Sequence, residues 1–335
     1  MHHYRAPADG RTVPIERLRA SVQTIFEGAA VPTDHAATIA ELLVDTDLRG
    51  ISSHGVAQVQ RYVEAFTDGT NNAKPDIRVL KESSTTAMLT GDGGLGIVVA
   101  KQAMEMAMAK AAEHGVAVVT TVYHDHIGSA GKYVRMALAR NMVAMCLSGR
   151  SSRPDGYASD DNPLSSIQGS PPMAFGAPAA DTTADFHLDF ATGAAFDEGD
   201  FSRRPELFFR SLGIAQMANL LSGTLGGQQL PEFDRRTTEW APNAQSAFFL
   251  VIDVGRFSGV DSFTADVSSL VQGVSGMSPF PGYDEAALPG GVEAAKEKQY
   301  RAEGRVPISA EAVASVEAAA ASVGVTDLPW DTPRL

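Results

Sequence analysis

Residues 85–108, TTAMLTGDGGLGIVVAKQAMEMAM, hold the pattern that decides which α/β fold this chain adopts. The first six residues are typical of a strand, and the Ala/Met-rich run 97–113 is typical of a helix that Gly115 ends. Between the two, residues 91–96 fit the spacing G-x-G-x-x-G, with which a strand–turn–helix unit can wrap the pyrophosphate of a dinucleotide.

The glycine spacing alone is a weak signal, because the fingerprint also needs a preceding buried strand and an acidic residue about 20 residues further on. Here the preceding strand is short and polar. The acid placed after the next strand is Asp125, about 29 residues beyond Gly96. We therefore predict that the glycines form a turn and a close helix–strand contact, and that any dinucleotide binds elsewhere.

The rest of the chain alternates between helical and strand-like patterns. Apolar residues at helical spacing predict helices within residues 1–70, the third of them starting behind Ser52 and Ser53. Strands are predicted at 116–122, 142–149, 184–192 and 246–255, and further helices at 128–141, 212–227, 260–272, 292–303 and 309–322. This order predicts a mixed α/β protein with a helical N-terminal part, and it leaves the polar stretch 149–172 as an unusually long loop.

Composition and charge narrow the classes of function. The 335 residues are 44% hydrophobic and 20% charged, which is typical of a globular protein with a substantial core. No apolar run approaches the roughly 20 residues that cross a bilayer, and we expect neither a membrane span nor a signal peptide. The net charge of −13 disfavours nucleic acid as a partner and favours a small molecule. The single cysteine, Cys146, excludes an internal disulfide, so we expect a buried thiol in a cytoplasmic protein.

His54 lies in the first of three polar clusters, DLRGISSHGVAQVQRY (47–62). We expect the ring at a helix N-terminus, where the helix dipole disfavours the imidazolium and tunes the group for proton transfer near neutral pH. Arg49 precedes it by five residues. From this stretch alone we favour the simpler interpretation, a capping histidine on a solvated turn.

The second cluster is VYHDHIGSAGKY (122–133). His124 and His126 are two residues apart at the end of a strand and could share one face of a metal site, although the spacing fixes no third ligand. The glycines and Ser129 that follow start a helix, which suits an anionic group. We favour the anion site and assign no metal.

The third cluster is ADFHLDFATG (184–193). Alternation along a strand puts Asp185, His187 and Asp189 on one face and the apolar residues on the other. Two carboxylates beside an imidazole suit a proton relay or a metal site, and equally a polar face turned to solvent. For Asp185 we favour the solvent, and for Asp189, which small residues follow, we favour a pocket.

In chain order these clusters resemble the malate/L-lactate/L-sulfolactate dehydrogenase family, which is unrelated to the Rossmann lactate and malate dehydrogenases. The family also includes ureidoglycolate dehydrogenase, diketogulonate reductase and cyclic imino-acid reductases. The matching segments are RGISSHGV, GDGGLG, HIGSAG, GSPPMAFGAP, LDFATGAA and LGIAQMANLLSG. The resemblance spans the chain from about residue 12 to about residue 310.

The resemblance implies a non-Rossmann, sulfolactate-dehydrogenase-like fold. Its sheet domain, 76–284, would bind NADH or NADPH, and a helical domain would be built from both chain ends, 1–75 and 285–335. It also implies a homodimer with the site near the subunit interface.

The resemblance also implies roles for particular residues. His54 matches the family's proton donor, Asp189 would orient or recharge it, and Arg49 would support the site. The residues expected to contact the substrate are Ser53, Gln58 and His187. The residues expected to hold the cofactor are His126, Gly128, Ser129, Ala130, Ser170, Thr192 and Arg210.

Several positions depart from the family pattern. Gln58 stands where the family has an arginine that clamps the substrate carboxylate, and a neutral amide cannot make that charged bidentate contact. Arg61 is close in sequence, but we expect it to face a different side of the helix. The family's GTNP segment reads GSPP at 169–172, its lysine reads Arg210, and His187 replaces an apolar residue.

We therefore expect an NAD(P)H-dependent reductase or dehydrogenase that acts on a C=O or C=N group of a small molecule in a specialised pathway, and not on a simple 2-oxo acid. The alternative is a repurposed member of the fold that has lost the cofactor and uses His54 and Asp189 for acid/base chemistry, as an isomerase, lyase or cyclase. A third interpretation, a non-enzymatic scaffold, predicts no formed site around His54.

Overall fold

A seven-stranded mixed sheet forms the centre of the structure. The computed structural model describes residues 9–150, 171–191, 203–233, 239–240, 245–279, 281 and 285–330. In these ranges the strands are β1 (Arg11–Pro14), β2 (Arg78–Glu82), β3 (Thr86–Thr90), β4 (Val116–His124), β5 (Met142–Gly149), β6 (Pro172–Ala177), β7 (Phe186–Ala191), β8 (Gln245–Asp253) and β9 (Arg305–Ile308).

The helices of the same ranges pack around this sheet and at the two chain ends. They are α1 (Ile15–Gly28), α2 (Thr33–Leu48), α3 (Val59–Thr67), α4 (Gly96–His114), α5 (Gly131–Leu138), α6 (Pro205–Asn219), α7 (Val260–Ser275), α8 (Gly291–Glu303) and α9 (Ala310–Ser322). The mixed α/β fold predicted from the sequence is confirmed.

The strand order of the sheet is β2-β3-β4-β8-β5-β6-β7. The parallel neighbours β3 and β4 are joined by α4, and the other neighbouring pairs are antiparallel. The sheet is therefore not the parallel one of a Rossmann domain.

The two ends of the chain meet beside the sheet. β1 pairs antiparallel with β9, so that Arg11 lies opposite Ile308. α9 packs against α1 and α3, and α8 packs against α2. The proposed division of the chain into 1–75 with 285–335 and 76–284 stays a prediction, because one apolar core runs from these helices to the sheet.

Alternation along the strands gives the sheet two different faces. α4 and α5 cover one face, on which the small or polar residues of β6 and β7 lie. On the other face, apolar side chains such as Leu147, Met173 and Phe190 line a cavity of about 610 Å³ beneath α6. Residues that line this cavity and residues that face α5 are therefore on opposite sides of the sheet.

The glycine-rich turn 91–96 packs closely against the end of β4, as predicted. The backbone N–H groups of Gly91 and Gly93 donate to carbonyl oxygens of β4 at 2.9 and 3.0 Å. A Cβ on Gly96 would lie only 2.2 Å from the carbonyl oxygen of Asp125. These backbone N–H groups of the turn therefore donate to the protein itself. In a dinucleotide fingerprint they would donate to a pyrophosphate.

The third predicted helix begins later than the sequence indicated. Residues 52–58 form two 3₁₀ turns, and α3 begins at Val59. Gly55 separates the turns, and a Cβ there would lie 2.2 Å from Oδ1 of Asp47. The prediction that His54 starts a helix is wrong, because this buried carboxyl interrupts the helical path.

Four strands, β1, β2, β6 and β9, were not predicted from the sequence. β2 is exposed along its whole length, and β1 and β9 have four residues each, so these three strands carry no strong apolar pattern. Of the predicted long loop, residues 151–170 lie outside the described residues. Across the parts of the chain that are described, no helix is long and apolar enough to cross a membrane.

Candidate active site

His54 ends the first 3₁₀ turn and is supported by a buried carboxyl group. Oδ2 of Asp47 accepts the backbone N–H of Val56 at 2.8 Å. Burial raises the pKa of Asp47 to about 8, so this carboxyl is mainly protonated at neutral pH. Oγ of Ser53 lies 2.9 Å from Nδ1 of His54. The turn therefore orients one ring nitrogen of His54 from within the same segment.

His126 faces His54 across the site. The two ring centroids are 5.6 Å apart, and the planes are tilted by 44°. The hydroxyl of the fully buried Tyr62 lies 2.7 Å from Nδ1 of His126. Two sequence-distant segments, residues 54–62 and the loop after β4, therefore bring two imidazoles and a phenol together.

Burial disfavours the charged form of both imidazoles. It lowers the pKa of His126 to about 3, and nearby positive charges act in the same direction. Burial also lowers the pKa of His54, while the carboxylate of Asp189 opposes this and Lys132 and Arg61 reinforce it. The cause is desolvation, in place of the helix dipole that the sequence suggested.

Asp189 joins β7 to the loop that follows β4. Its Oδ2 accepts the hydroxyl of Ser129 at 2.8 Å and the backbone N–H of Gly131 at 2.9 Å. His187 lies on the same side, since a Cβ on Gly131 would lie 2.5 Å from its Cε1. The predicted alternation of β7 is confirmed, and Asp189 lies close enough to His54 to influence its charge.

His187 and Asp185 differ in how their polar atoms are used. His187 is buried, its pKa is lowered to about 3 by burial, and its Nε2 has no hydrogen-bond partner among the described residues. Asp185 lies just before β7, and its Oδ1 accepts the N–H of Ala179 at 2.8 Å. The solvent-facing role expected for Asp185 is wrong, because the half-buried carboxylate ties down a turn.

Arg49 sits at the back of the site, 4% exposed at the end of α2. Its guanidinium donates to Oε2 of Glu297 at 3.2 Å and to the carbonyl oxygen of Gly290 at 3.3 Å. A Cβ on Gly290 would in turn lie 2.7 Å from the carbonyl oxygen of His187. Arg49 therefore supports the segment behind His187.

Gln58 and Arg61 lie together at the solvent-facing edge of the site, here called the rim. This is contrary to the expectation that they face different sides of the helix. Nη1 of Arg61 donates to Oε1 of Gln58 at 3.3 Å, and Nε2 of Gln58 donates to the carbonyl oxygen of Ser53 at 2.8 Å. Residues three apart are neighbours on a helix surface, and the long arginine side chain spans the remaining gap. Arg61 also lies 3.8 Å from Oδ1 of Asp125, so its charge is partly balanced.

Lys132 is a residue of the site that sequence reasoning missed, as are Asp47 and Tyr62. Lys132 is 2% exposed, and its Nζ has no hydrogen-bond partner among the described residues. Its charge state affects the pKa of both His54 and His126. The available signal was a lysine directly after HIGSAG in a short helix, α5, that is otherwise largely apolar at its start.

Of the other predicted residues, one lies on the opposite face of the sheet and two lie outside the described residues. Arg210 is exposed on α6, on the opposite face of the sheet from Asp189. Ala130 is the residue before α5, and Ser170 and Thr192 lie outside the described residues. Both ring nitrogens of His124 have hydrogen-bond partners. Nε2 lies 2.8 Å from Oγ1 of Thr121, and Nδ1 lies 2.7 Å from the carbonyl oxygen of Asp125.

Metal binding and thiol chemistry gain no support in the described ranges. No group of three or more His, Cys, Asp or Glu side chains there is arranged for a metal ion. Cys146 is buried in β5, as predicted, and burial raises its thiol pKa well above the usual value.

Solved structures confirm the class of fold that this arrangement defines. The structure of malate dehydrogenase from Pyrococcus horikoshii OT3 matches with a TM-score of 0.80 and 26% identity, covering 97% of this chain and 99% of that one. Sulfolactate dehydrogenase from Methanocaldococcus jannaschii matches with a TM-score of 0.74 and 24% identity, covering 94% and 98% of the two chains. The fold is therefore the non-Rossmann dehydrogenase fold that the motif order predicted.

The malate/L-lactate dehydrogenase family model matches residues 13–200 and 208–317, and the chain belongs to this family. Malate dehydrogenase of Pyrococcus horikoshii is 28% identical over 317 residues, which is 83% of this chain and 86% of that protein. The ureidoglycolate dehydrogenase (NAD(+)) of Escherichia coli K12 is 27% identical over 324 residues, 86% and 90% of the two chains. These relatives are dehydrogenases by name, so the chain is an enzyme of an oxidoreductase family.

Proposed function

We propose that the protein is an NAD(P)H-dependent reductase of a C=O or C=N group in a small molecule, with His54 as the proton donor. The observation that carries the proposal is the meeting of His54, His126 and Asp189 in a chain of this family. Hydride delivery to the carbon of C=O or C=N leaves negative charge on the heteroatom, and a positioned acid must neutralise it.

His54 is suited to that acid role. Ser53 engages Nδ1, so the exchange of a proton with the substrate falls to Nε2. The carboxylate of Asp189 raises the pKa of His54 against the effect of burial, which helps to recharge the ring between turnovers. Tyr62 fixes the neighbouring His126 ring, which we assign to positioning the reactants.

The loop 126–131 fits part of a nicotinamide nucleotide. Gly128 bends the loop at a φ of +73°, and beside Gly131 lies the buried Nε2 of His187, which forms no well-aligned hydrogen bond with the described residues. Bound there, the cofactor supplies the hydride. The hydroxyl of Ser129 is donated to Asp189, so it would meet the cofactor only as an acceptor.

The substrate we propose lacks the carboxylate of a simple 2-oxo acid. Gln58, which stands in place of the family's arginine, already uses both ends of its amide within the protein. Arg61 brings a positive charge to the same rim but shares it with Asp125. A polar, uncharged or differently placed group suits such a rim better than a bidentate carboxylate does.

We also propose a homodimer that works in the reducing cytoplasm. α6 exposes large apolar side chains, Phe209 at 61% and Met217 at 51%, and a second copy of the chain would remove them from water. Arg210 lies on this helix, so a cofactor role for Arg210 would require that second copy. Sedimentation equilibrium of the protein and of Met217→Glu tests this assembly.

The first experiment measures binding of NADH and of NADPH to the whole protein by calorimetry. We expect micromolar binding of one of them, followed by oxidation of one cofactor per product when ketones and imines without a carboxylate are screened. His54→Asn should keep cofactor binding and lose turnover by about 10²–10⁴-fold. His114→Asn, a surface histidine at the end of α4, is the matched control and should change neither.

A second candidate function is cofactor-free acid/base catalysis by His54 and Asp189, as in an isomerase, lyase or cyclase. The specific observation in its favour is that Ser129 and Gly131 donate to Asp189, which ties up donors of the loop that the family uses for the cofactor. Folded protein that binds neither NADH nor NADPH would support this candidate. Stoichiometric cofactor oxidation during turnover would exclude it.

A further inference from the structure

The side-chain amine of Lys132 lies against Gly128, in the loop that carries His126. A Cβ placed on Gly128 would lie 2.4 Å from Nζ, so the amine occupies the space that a side chain at 128 would need. Nζ also lies 5.3 Å from the centroid of the Tyr133 ring. Because Gly128 has no side chain, Nζ of Lys132 lies directly against the backbone of the loop 126–131.

The carboxylates near Lys132 are committed to other groups. Oδ2 of Asp189 accepts Ser129 and Gly131, and Asp45 of α2 forms ion pairs with Arg135 and Arg301. Among the described residues, Nζ of Lys132 has no hydrogen bond. A buried ammonium normally has a carboxylate partner, and this one is left without.

The charges around Lys132 act in both directions, and burial outweighs them. Arg135 on its own helix disfavours the ammonium, whereas Asp45, Asp189 and the Cys146 thiol of β5 favour it. Burial lowers the pKa of both His54 and His126, which disfavours a positive charge on either ring beside Lys132. Burial lowers the pKa of Lys132 to about 7, so about half of the amine carries a free lone pair at that pH.

We infer that Lys132 is an amine nucleophile that captures an aldehyde or ketone as a Schiff base beside His54. The lone pair of Nζ attacks the carbonyl carbon, the oxygen takes up a proton, and the amine loses its protons as water leaves. One C=N bond forms, one C=O bond breaks, and no oxidant or reductant is consumed. The flexible stem of lysine lets Nζ move past Gly128 to the substrate.

This activity goes beyond the proposed reduction and requires no nicotinamide cofactor. His54 has the position to protonate the departing hydroxyl, in the same acid role that reduction would need. The result is a covalent substrate adduct with an acidified α-carbon, which suits enamine chemistry.

The experiment is reductive alkylation of the whole protein with acetaldehyde and cyanoborohydride, followed by peptide mapping at several pH values. At pH 7 an amine with a pKa of about 7 is half neutral, whereas an ordinary lysine near 10.4 is neutral in roughly one molecule in 2,500. We expect Lys132 to react at least about tenfold faster than Lys298, which is exposed on α8. Its rate should level off above a pH of about 8.

Two variants accompany this measurement. Lys132→Arg keeps a cation without a nucleophilic amine and should lose the fast label, while Lys298→Arg should keep it. Because the wild-type label is itself the readout, a variant that fails to fold does not remove the test. A Lys132 that reacts no faster than Lys298, or a fast label that survives in Lys132→Arg, would overturn the inference.

A parallel titration with inorganic pyrophosphate separates the nucleophile from an anion site. Pyrophosphate binding that Lys132→Met abolishes, together with absent labelling, would assign Lys132 to an anion and overturn the inference. Binding of NADH or NADPH is measured separately, so failure of the label and failure of the proposed reductase are distinguishable.

Discussion

The pH dependence of folding should reveal the buried carboxyl of Asp47 under the His54 turn. Asp47 is 3% exposed, and the only polar contact of its Oδ2 within the described residues is the N–H of Val56 at 2.8 Å. Burial raises its pKa from 3.8 to about 8 against that single favourable hydrogen bond. The folded protein therefore holds a proton that the unfolded chain releases.

A pKa raised on folding gives a stabilisation that is complete below the unfolded pKa and is lost as the pH rises through the folded one. Between about 4 and about 8, this group lowers the free energy of unfolding by about 1.4 kcal/mol for each pH unit. Over about four units the loss reaches about 5–6 kcal/mol. Asp47→Asn stays neutral throughout, so its stability curve lacks this slope.

The assay is urea unfolding of wild type and Asp47→Asn at four pH values from about 5 to about 8. The new amide has no acceptor near the former Oδ1 position, which lowers the variant's stability by the same amount, about 1–3 kcal/mol, at every pH. The stability difference between the two proteins should therefore change by about 1.4 kcal/mol per unit. Asp34→Asn, exposed on α2, is the matched control. Parallel curves for wild type and Asp47→Asn would refute the reasoning.

Three further predictions follow from contacts of the site. In Asp189→Asn, the pKa of His54 falls because an opposing negative charge is gone, so kcat should decline at lower pH than in wild type as His54 loses its proton. Arg49→Met removes one of the two arginine partners of Glu297 and leaves Arg301 in place, so urea unfolding should show a loss of about 1–3 kcal/mol with unchanged cofactor binding. Gly128→Ala must adopt a φ of +73° and push the neighbouring amine away, which should lower the free energy of unfolding by about 1–3 kcal/mol.

Local periodicity predicted those parts of the site whose geometry depends on a single element. The period of two in residues 184–192 placed His187 and Asp189 on one face of β7, and the structure confirms it. The short, polar strand before the glycine turn argued against a dinucleotide fingerprint at 91–96. The structure agrees, since the N–H groups of Gly91 and Gly93 donate to carbonyl oxygens of β4. Both inferences needed only neighbours in sequence.

Contacts between distant segments defeated the same reasoning at His54. The pattern SSHGVAQVQRY has the spacing of a helix, and nothing local to it shows that the Asp47 carboxyl will lie against Gly55. That contact splits the segment into two turns and changes the cause of the lowered His54 pKa from a helix dipole to burial. A buried acid seven residues before the histidine is a tertiary effect, and periodicity carries no information about it.

Lys132 shows why a charged residue in an amphipathic pattern is easily misjudged. In α5, Lys132 and Arg135 are three residues apart, and periodicity assigns both to the polar side. The structure separates them, because Arg135 takes the carboxylate of Asp45 while Ser129 and Gly131 take that of Asp189. Nζ of Lys132 is left buried without a hydrogen-bond partner among the described residues. The reactivity proposed for Lys132 thus depends on which donors the carboxylates of Asp45 and Asp189 accept from. Sequence periodicity does not contain that information.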